Sequence, residues 1–166
     1  MDINIASVKN YEGKTLTIDC EISLPGRKGD DFRLVSPVRV CGELRNFGGT
    51  LELSAKAEAG LEFVCDRCAE TYSKLHKFDI SESFKEYEGA DSGENPDINY
   101  FSGDELVLDD YVYSGLVLSL PGKHLCSEDC KGLCPVCGAN LNRETCSCSR
   151  TSTDPRFDIL DSLDLE

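Results

Sequence analysis

The closely spaced cysteines of residues 126–148 are the part of the sequence best suited to chemistry. Six of the ten cysteines lie in these 23 residues, within CSEDCKGLCPVCG and a later CSC. Few bulky apolar side chains separate them, so the segment needs disulfides or a metal to fix its conformation. In CPVCG at 134–138, a proline starts a tight turn, a glycine ends it and both thiols face one side. This spacing predicts a zinc knuckle.

A second Cys-x-x-Cys pair, Cys65 and Cys68, falls between two predicted strands. On a β-turn this spacing is typical of a knuckle, whereas redox pairs usually open a helix after a strand, and a redox pair is the alternative. Two cysteines here and six later are enough for two closed tetrahedral sites. We therefore predict about two structural zinc ions per chain, with the candidate ligands Cys65, Cys68, Cys126, Cys130, Cys134, Cys137, Cys146 and Cys148.

Other thiol and imidazole groups have simpler interpretations. Cys20 lies on the apolar face of a predicted strand and is expected to be a core thiol. Cys41 falls on the polar side of its strand, and we assign neither thiol to a metal site. His124 stands two residues before Cys126, where it is either a replacement ligand or a polar neighbour.

Length and composition favour one ordinary domain, or one domain with a small metal-held appendage. The chain has 166 residues, of which 40% are hydrophobic, enough for a real core. No apolar run approaches the length that spans a bilayer, and the N-terminus lacks the pattern of a secretory signal. We therefore expect a cytoplasmic protein, where a reducing environment favours metal-bound thiolates over disulfides.

The charge balance limits the class of partner. Seventeen basic and 31 acidic residues give a net charge of −14, and two four-thiolate zinc sites would make it about −18. The balance weighs against a protein that mainly binds naked nucleic acid and favours a basic protein partner or an RNA contact confined to one local patch. The candidates for a local phosphate contact near the metal are Arg67, Lys131 and Arg143, whose alternative role is ordinary solubility.

The sequence lacks the motifs of an enzyme. A catalytic zinc keeps an open coordination position, normally beside His or a carboxylate, whereas four cysteines close the site. The two histidines, His76 and His124, are not in a His-Glu-x-x-His setting, and no nucleophile elbow, phosphate loop or dinucleotide fingerprint occurs. We predict a non-catalytic protein with no small-molecule substrate.

The elements that position these cysteines predict an α+β fold. Apolar and polar residues alternate along 15–24, 32–44, 51–63 and 71–84, with a hairpin signal at 46–49. Pro37 suggests that the early part of the second strand lies at an edge or bulge. The pattern predicts an antiparallel β-meander or open barrel with one main helix and a zinc-stapled C-terminal segment.

That helix is predicted over 109–119, with Asp109 as its cap and an apolar stripe against the sheet. An acidic loop at 86–97 precedes it. We divide the chain into a β-rich domain with a packing helix at 1–120, a zinc-binding segment at 121–150 and a tail at 151–166. In the tail, a short helix is predicted to begin at Asp154, and the sequence does not decide whether it docks on the body.

These residues together resemble the YceD family. The resemblance rests on CDRC at 65–68 after a β-rich half, the acidic loop, the helix ending in Leu-Pro, LCSEDCKGLCPVCGANLN at 125–142 and Asp-Pro-Arg at 154–156. It spans about 51–163 and is closest to the Gram-positive branch. The resemblance implies a bacterial accessory factor linked to accumulation of large-subunit ribosomal RNA, with a ribosomal precursor particle or a basic ribosomal protein as partner.

The resemblance also implies a division of the ligands. Shorter relatives keep the pairs that match Cys65 with Cys68 and Cys126 with Cys130 but lack the later cysteines. This implies one site from those four thiols and another from Cys134, Cys137, Cys146 and Cys148. The rival division places Cys134 and Cys137 with Cys65 and Cys68 and leaves the others looser.

Overall fold

The structure is a computed structural model that describes residues 1–87 and 97–149, and the chain divides into two compact units. The first comprises Met1–Phe63 and Tyr72–Gly122, and the described part of the second comprises Val64–Thr71 and residues 123–149. The chain is mostly β-sheet, with a curled half-barrel sheet and one main helix, which confirms the α+β class in its coarse form. In the part of the chain described, no helix has the length and apolar character needed to cross a membrane.

The helices and strands follow one another along the chain from residue 2 to residue 119. They are β1 Asp2–Asn4, α1 Ala6–Lys9, β2 Thr15–Ile22, β3 Phe32–Leu34, β4 Val38–Phe47, β5 Thr50–Val64, β6 Thr71–Glu86, β7 Ile98–Phe101, β8 Glu105–Val107 and α2 Asp109–Ser119. The larger sheet has the order β2-β4-β5-β6-β7, with β3 also paired to β5, and a separate sheet pairs β1 with β8.

The alternating pattern correctly predicted the main strands. In β5, every second side chain from Leu51 to Phe63 is buried, as expected for a sheet with one wet face. The predicted second strand is interrupted at residues 35–37, which include Pro37, so that β3 and β4 pair with successive parts of β5. Proline lacks the N–H that a central ladder needs, which explains the break.

Helix α2 packs its apolar stripe in the core of the first unit. Leu108, Val112 and Leu116 are fully buried. At Gly115, an added Cβ would stand 3.5 Å from both the Ile80 and Phe78 side chains, an ordinary van der Waals contact, so the helix packs directly on β6. Helical spacing therefore predicted both the helix and its buried face.

Two features of the fold differ from the sequence predictions. Strand β7 is parallel to β6, so the larger sheet is not a purely antiparallel meander. Asp109 is not the N-cap; Leu108 takes that position without a side-chain cap, and Asp109 pairs with the N-terminal amine. Short β1, α1, β7 and β8 were not predicted, because three or four residues are too few to establish a period.

Two predicted segments extend beyond the residues that the structure describes. Most of the acidic loop at 86–97 and the tail helix from Asp154 fall in this category. The division into 1–120, 121–150 and 151–166 stays a prediction.

Candidate metal centres

The first knuckle, residues 65–70, is a tight turn that points two thiols the same way. The N–H of Ala69 donates to the carbonyl of Cys65 at 2.8 Å, and the N–H of Cys65 donates to the carbonyl of Glu70 at 2.9 Å. Ala69 has φ 55°, the left-handed conformation that an L-residue seldom adopts. The turn buries both Cys65 and Cys68.

The second knuckle, residues 134–139, has the same backbone pattern. The N–H of Gly138 donates to the carbonyl of Cys134 at 2.9 Å, and the N–H of Cys134 donates to the carbonyl of Ala139 at 2.8 Å. Gly138 has φ 74° and takes the place that Ala69 has in the first knuckle. Both Cys-x-x-Cys pairs therefore lie on knuckle turns, and neither opens a helix.

All eight predicted thiols are gathered into two groups of four. The first cluster is Cys65, Cys68, Cys126 and Cys130, and the second is Cys134, Cys137, Cys146 and Cys148. Within each cluster the sulfur atoms lie within 4.8 Å of one another. This grouping is the one that the family resemblance implied, and the rival division is not what the structure brings together.

Distances in the first cluster suit a tetrahedral metal. The Cys65 and Cys130 sulfurs are 3.8 Å apart, and the Cys68 and Cys126 sulfurs are 3.7 Å apart. Four sulfurs at a Zn–S distance of about 2.3 Å form a tetrahedron with edges of about 3.8 Å. A disulfide would require about 2.05 Å. The four thiols therefore fit a zinc ion.

Backbone N–H groups stabilise the thiolate form of a cysteine in the first cluster. Burial alone raises the pKa of Cys65, but backbone N–H groups that donate to its sulfur, first that of Cys126, bring its pKa to about 6. The side-chain amide of Asn142 lowers the pKa of Cys130. A hydrogen bond with Cys130, together with burial, raises the pKa of Cys126 to about 12. Neighbouring thiols of the first cluster therefore have their pKa shifted in opposite directions.

The second cluster shows the same asymmetry with less enclosure. The N–H groups of Cys137 and Val136 lower the pKa of Cys134 to about 6, whereas a hydrogen bond to Cys137 raises the pKa of Cys148 to about 12. Cys134 is buried, Cys137 is exposed, and the remaining two thiols are partly buried. Both clusters can hold a metal ion, and zinc is consistent with four thiolate ligands.

Polar contacts join the first knuckle to the C-terminal segment. The N–H of Asp66 donates to the carbonyl of His124 at 2.8 Å, and the N–H of His124 donates to the carboxylate of Asp66 at 2.6 Å. The N–H of Leu133 donates to the carbonyl of Arg67 at 2.9 Å. At Gly132, an added Cβ would stand only 2.9 Å from that same carbonyl oxygen, which requires a residue without a side chain there.

The three candidate cations have different environments. The guanidinium of Arg67 donates to the backbone carbonyls of Glu128 and Cys130, each at 3.0 Å, and so braces the first cluster. Arg143 forms an ion pair with Glu70 at 2.7 Å. Lys131 is exposed. Their role in RNA or partner contact stays a prediction, although two of them also have structural contacts inside the second unit.

The other two cysteines and both histidines lie outside both clusters. Cys20 is partly buried against the core, and the Cys41 thiol lies 3.2 Å from the carboxylate of Asp19. His124 is buried but belongs to neither group of four. His76 contacts the hydroxyl of Ser119 at 2.8 Å.

Sequence reasoning missed one side chain at the metal centres. The side-chain nitrogen of Asn142 lies 3.3 Å from the Cys130 sulfur, although Asn142 is in the loop between Cys137 and Cys146. An asparagine between two ligand pairs carries no local signal of this contact, since it depends on how the loop folds back.

A sequence model of one family covers most of the chain. The family is described as "Large ribosomal RNA subunit accumulation protein YceD", and its model matches residues 53–164. The match includes most of β5, all of α2 and all eight clustered cysteines. It agrees closely with the span on which the sequence resemblance rested.

A curated relative matches a shorter stretch. The chain is 44% identical over 39 residues to "Large ribosomal RNA subunit accumulation protein YCED homolog 1, chloroplastic" from Arabidopsis thaliana. The aligned stretch is 24% of this chain and only 12% of the length of that relative. No solved structure matches the chain.

Proposed function

Because this chain belongs to the YceD family of large ribosomal RNA subunit accumulation proteins, we propose that it is a non-catalytic accessory factor in large ribosomal subunit biogenesis. It supports accumulation or maturation of large-subunit ribosomal RNA, acting in the cytoplasm on a ribosomal precursor particle. The observation that carries this proposal is the family match over residues 53–164. The family description names an RNA outcome and no reaction.

Zinc has a structural role in this proposal. About two ions are held by the two clusters, and four thiolates around each ion leave no position for a substrate or an activated water. The ions fasten the first knuckle to the segment from Cys126 onward, which has little apolar filling. The rigid surface made in this way presents Lys131 and Arg143 to a partner.

Deletion of the gene tests the function directly. We expect the ratio of large- to small-subunit ribosomal RNA to fall, and the wild-type gene to restore it. Cys130→Ser, which removes a ligand of the first cluster, should fail to restore it, whereas Cys41→Ser, outside both clusters, should succeed. An unchanged RNA ratio after deletion would show that the proposed function is wrong.

The net charge of −14 favours a second candidate, a zinc-stapled adaptor for a basic ribosomal protein without RNA contact. Cross-linking in cells separates the two. Recovery of large-subunit ribosomal RNA supports the first candidate, and recovery of a basic protein alone supports the second.

Lys131→Glu tests the local RNA contact with least damage to the metal centres, because Lys131 is exposed and is not a ligand. If the surface contacts phosphate, this reversal weakens association with precursor particles at unchanged zinc content. Arg67→Glu is less suitable, since Arg67 also braces the first cluster. Lys28→Glu, in an exposed loop of the first unit, serves as a matched charge control.

A further inference from the structure

Asn142 belongs to the loop of one cluster and contacts a sulfur of the other. Along the chain it lies between Cys137 and Cys146, two thiols of the second cluster. Its side-chain nitrogen donates to the sulfur of Cys130 in the first cluster at 3.3 Å. Its side-chain oxygen accepts the N–H of Lys131 at 2.8 Å, which holds the residue beside Cys130.

Backbone contacts keep Asn142 in this place. The N–H of Leu141 donates to the carbonyl of Gly132 at 2.9 Å, and Leu133 forms an isolated antiparallel bridge with Asn140. The N–H of Asn142 itself donates to the side-chain oxygen of Asn140 at 3.0 Å. The loop is thus folded back on the residues that follow Cys130, and its two ends are thiols of the second cluster.

We propose that Asn142 is a positioning residue through which the two metal sites load cooperatively. The inference rests on the zinc binding proposed above. Metal in the second cluster orders the loop, and the ordered loop presents the Asn142 amide to Cys130. An N–H donor stabilises a thiolate, so the first cluster binds its metal more tightly. Because coupling between binding sites is reciprocal, metal in the first cluster strengthens binding at the second to the same extent.

Two substitutions test the N–H donated to the Cys130 sulfur separately from the contact with the Lys131 N–H. Asn142→Asp keeps an oxygen that accepts the Lys131 N–H but replaces the donor to Cys130 with a carboxylate oxygen. Asn142→Ala removes both contacts, and both variants also lose the side-chain N–H that Asn142 donates to the side-chain oxygen of Asn140 at 3.1 Å. Glu144→Gln is the matched control, because it exchanges carboxylate and amide in the same loop at an exposed position that belongs to neither cluster.

Affinity is measured on the full chain with Co²⁺, whose thiolate charge-transfer absorption reports occupancy, followed by displacement with Zn²⁺ against a chelator. Loss of a hydrogen bond to a metal ligand typically lowers metal affinity by about tenfold to about a hundredfold. We expect a loss in this range at the first cluster for Asn142→Asp and Asn142→Ala, and an unchanged affinity for Glu144→Gln. An affinity at the first cluster within about twofold of wild type for both Asn142 variants would overturn the proposal.

A double-mutant cycle tests the coupling itself. Cys146→Ser with Cys148→Ser disables the second cluster and, in the wild-type background, should lower the affinity of the first cluster. In the Asn142→Asp background, the same pair of changes should cause little further loss. Equal losses in the two backgrounds would mean that Asn142 does not transmit the coupling.

Cadmium-113 NMR provides a check that needs no variant. With ¹¹³Cd in the clusters of the wild-type chain, the Asn142 side-chain amide protons should correlate with cadmium through the Cys130 sulfur. Absence of this correlation, with both clusters filled, contradicts the proposal. A chain that binds no metal would instead contradict the proposed zinc binding. Failure of the Asn142 proposal can therefore be distinguished from failure of the proposed function.

Discussion

The two knuckles have the same backbone design with different residues at the position after the second cysteine. In each, this residue donates to the carbonyl of the first cysteine and has a positive φ, 55° at Ala69 and 74° at Gly138. Glycine accepts this conformation freely, whereas alanine is strained there. The turn that brings the two thiols together therefore requires a positive φ at the residue after the second cysteine, whether that residue is alanine or glycine.

The clusters built on these knuckles differ in how far they reach along the chain. Cys68 and Cys126 are 58 residues apart, so the first cluster joins the first knuckle to the C-terminal segment. The second cluster is confined to residues 134–148. Three thiols of the first cluster are buried, against one in the second. The first cluster therefore connects two segments that are distant in sequence, whereas the second connects residues within one short segment.

Removal of metal has the largest expected effect on this comparison. Structural zinc sites contribute about 10–16 kcal/mol in zinc-finger peptides, and in the described part of the second unit the buried hydrophobic residues are all cysteines. A chelator should abolish amide-exchange protection in 64–71 and 123–149, while β4, Val38–Phe47, in the core of the first unit, keeps its protection. Hydrogen exchange with mass spectrometry measures both. Equal protection of the second unit without metal would contradict the metal-fastened design.

Single-ligand substitutions should distinguish the two clusters. At saturating zinc, Cys130→Ser should reduce the zinc content from about two to about one and increase exchange in both the first knuckle and the segment after Cys126, because it opens the long-range connection. Cys148→Ser should lose one ion as well, with faster exchange limited to residues 134–148. Closing a longer loop costs more entropy, so the first change should disorder more of the chain. Cys41→Ser should retain both ions, and equal exchange profiles for the two ligand variants would remove the distinction.

Acidification should release metal from both clusters. Cysteine binds zinc as a thiolate, and the pKa values of Cys126 and Cys148 are raised to about 12, so each is protonated at neutral pH before the metal binds. Binding displaces that proton. Zinc affinity should consequently rise by about tenfold or more per pH unit from about pH 6.5 to about pH 8.5 and fall as the pH is lowered. Competition titrations at several pH values measure this slope, and a pH-independent affinity would show that no proton is displaced.

Exchange of the left-handed residues should give the smallest effects, in opposite directions. Ala69→Gly relieves the strain in the first knuckle and should stabilise it by up to about 1 kcal/mol. Gly138→Ala introduces the same strain in the second knuckle and should destabilise it by about 1 kcal/mol. Chelator midpoints should therefore shift by about fivefold, upward for the first variant and downward for the second. Shifts of the same sign would mean that the knuckles are not equivalent.

Sequence patterns predicted most of the strands and the pairs of metal-ligand candidates. Alternation defined β2, β4, β5 and β6, and helical spacing placed α2 at the residues that the structure shows. These elements follow from local patterns, because a period of two or 3.6 residues repeats over enough of the chain to be read. The Cys-x-x-Cys turns follow from local geometry in the same way.

Tertiary structure alone decided several long-range contacts. The parallel pairing of β7, the contact of Asn142 with Cys130 and the use of Arg67 as a brace depend on groups distant in sequence. Backbone N–H and C=O groups are the same in every residue except proline, so a four-residue strand carries little information about its neighbour. For the cysteines, their spacing in the sequence alone defined the pairs of candidate metal ligands. Spacing did not divide the pairs between two sites, because any two pairs have the ligands for one ion; the family resemblance implied the division, and the folded chain brings the same groups of four together.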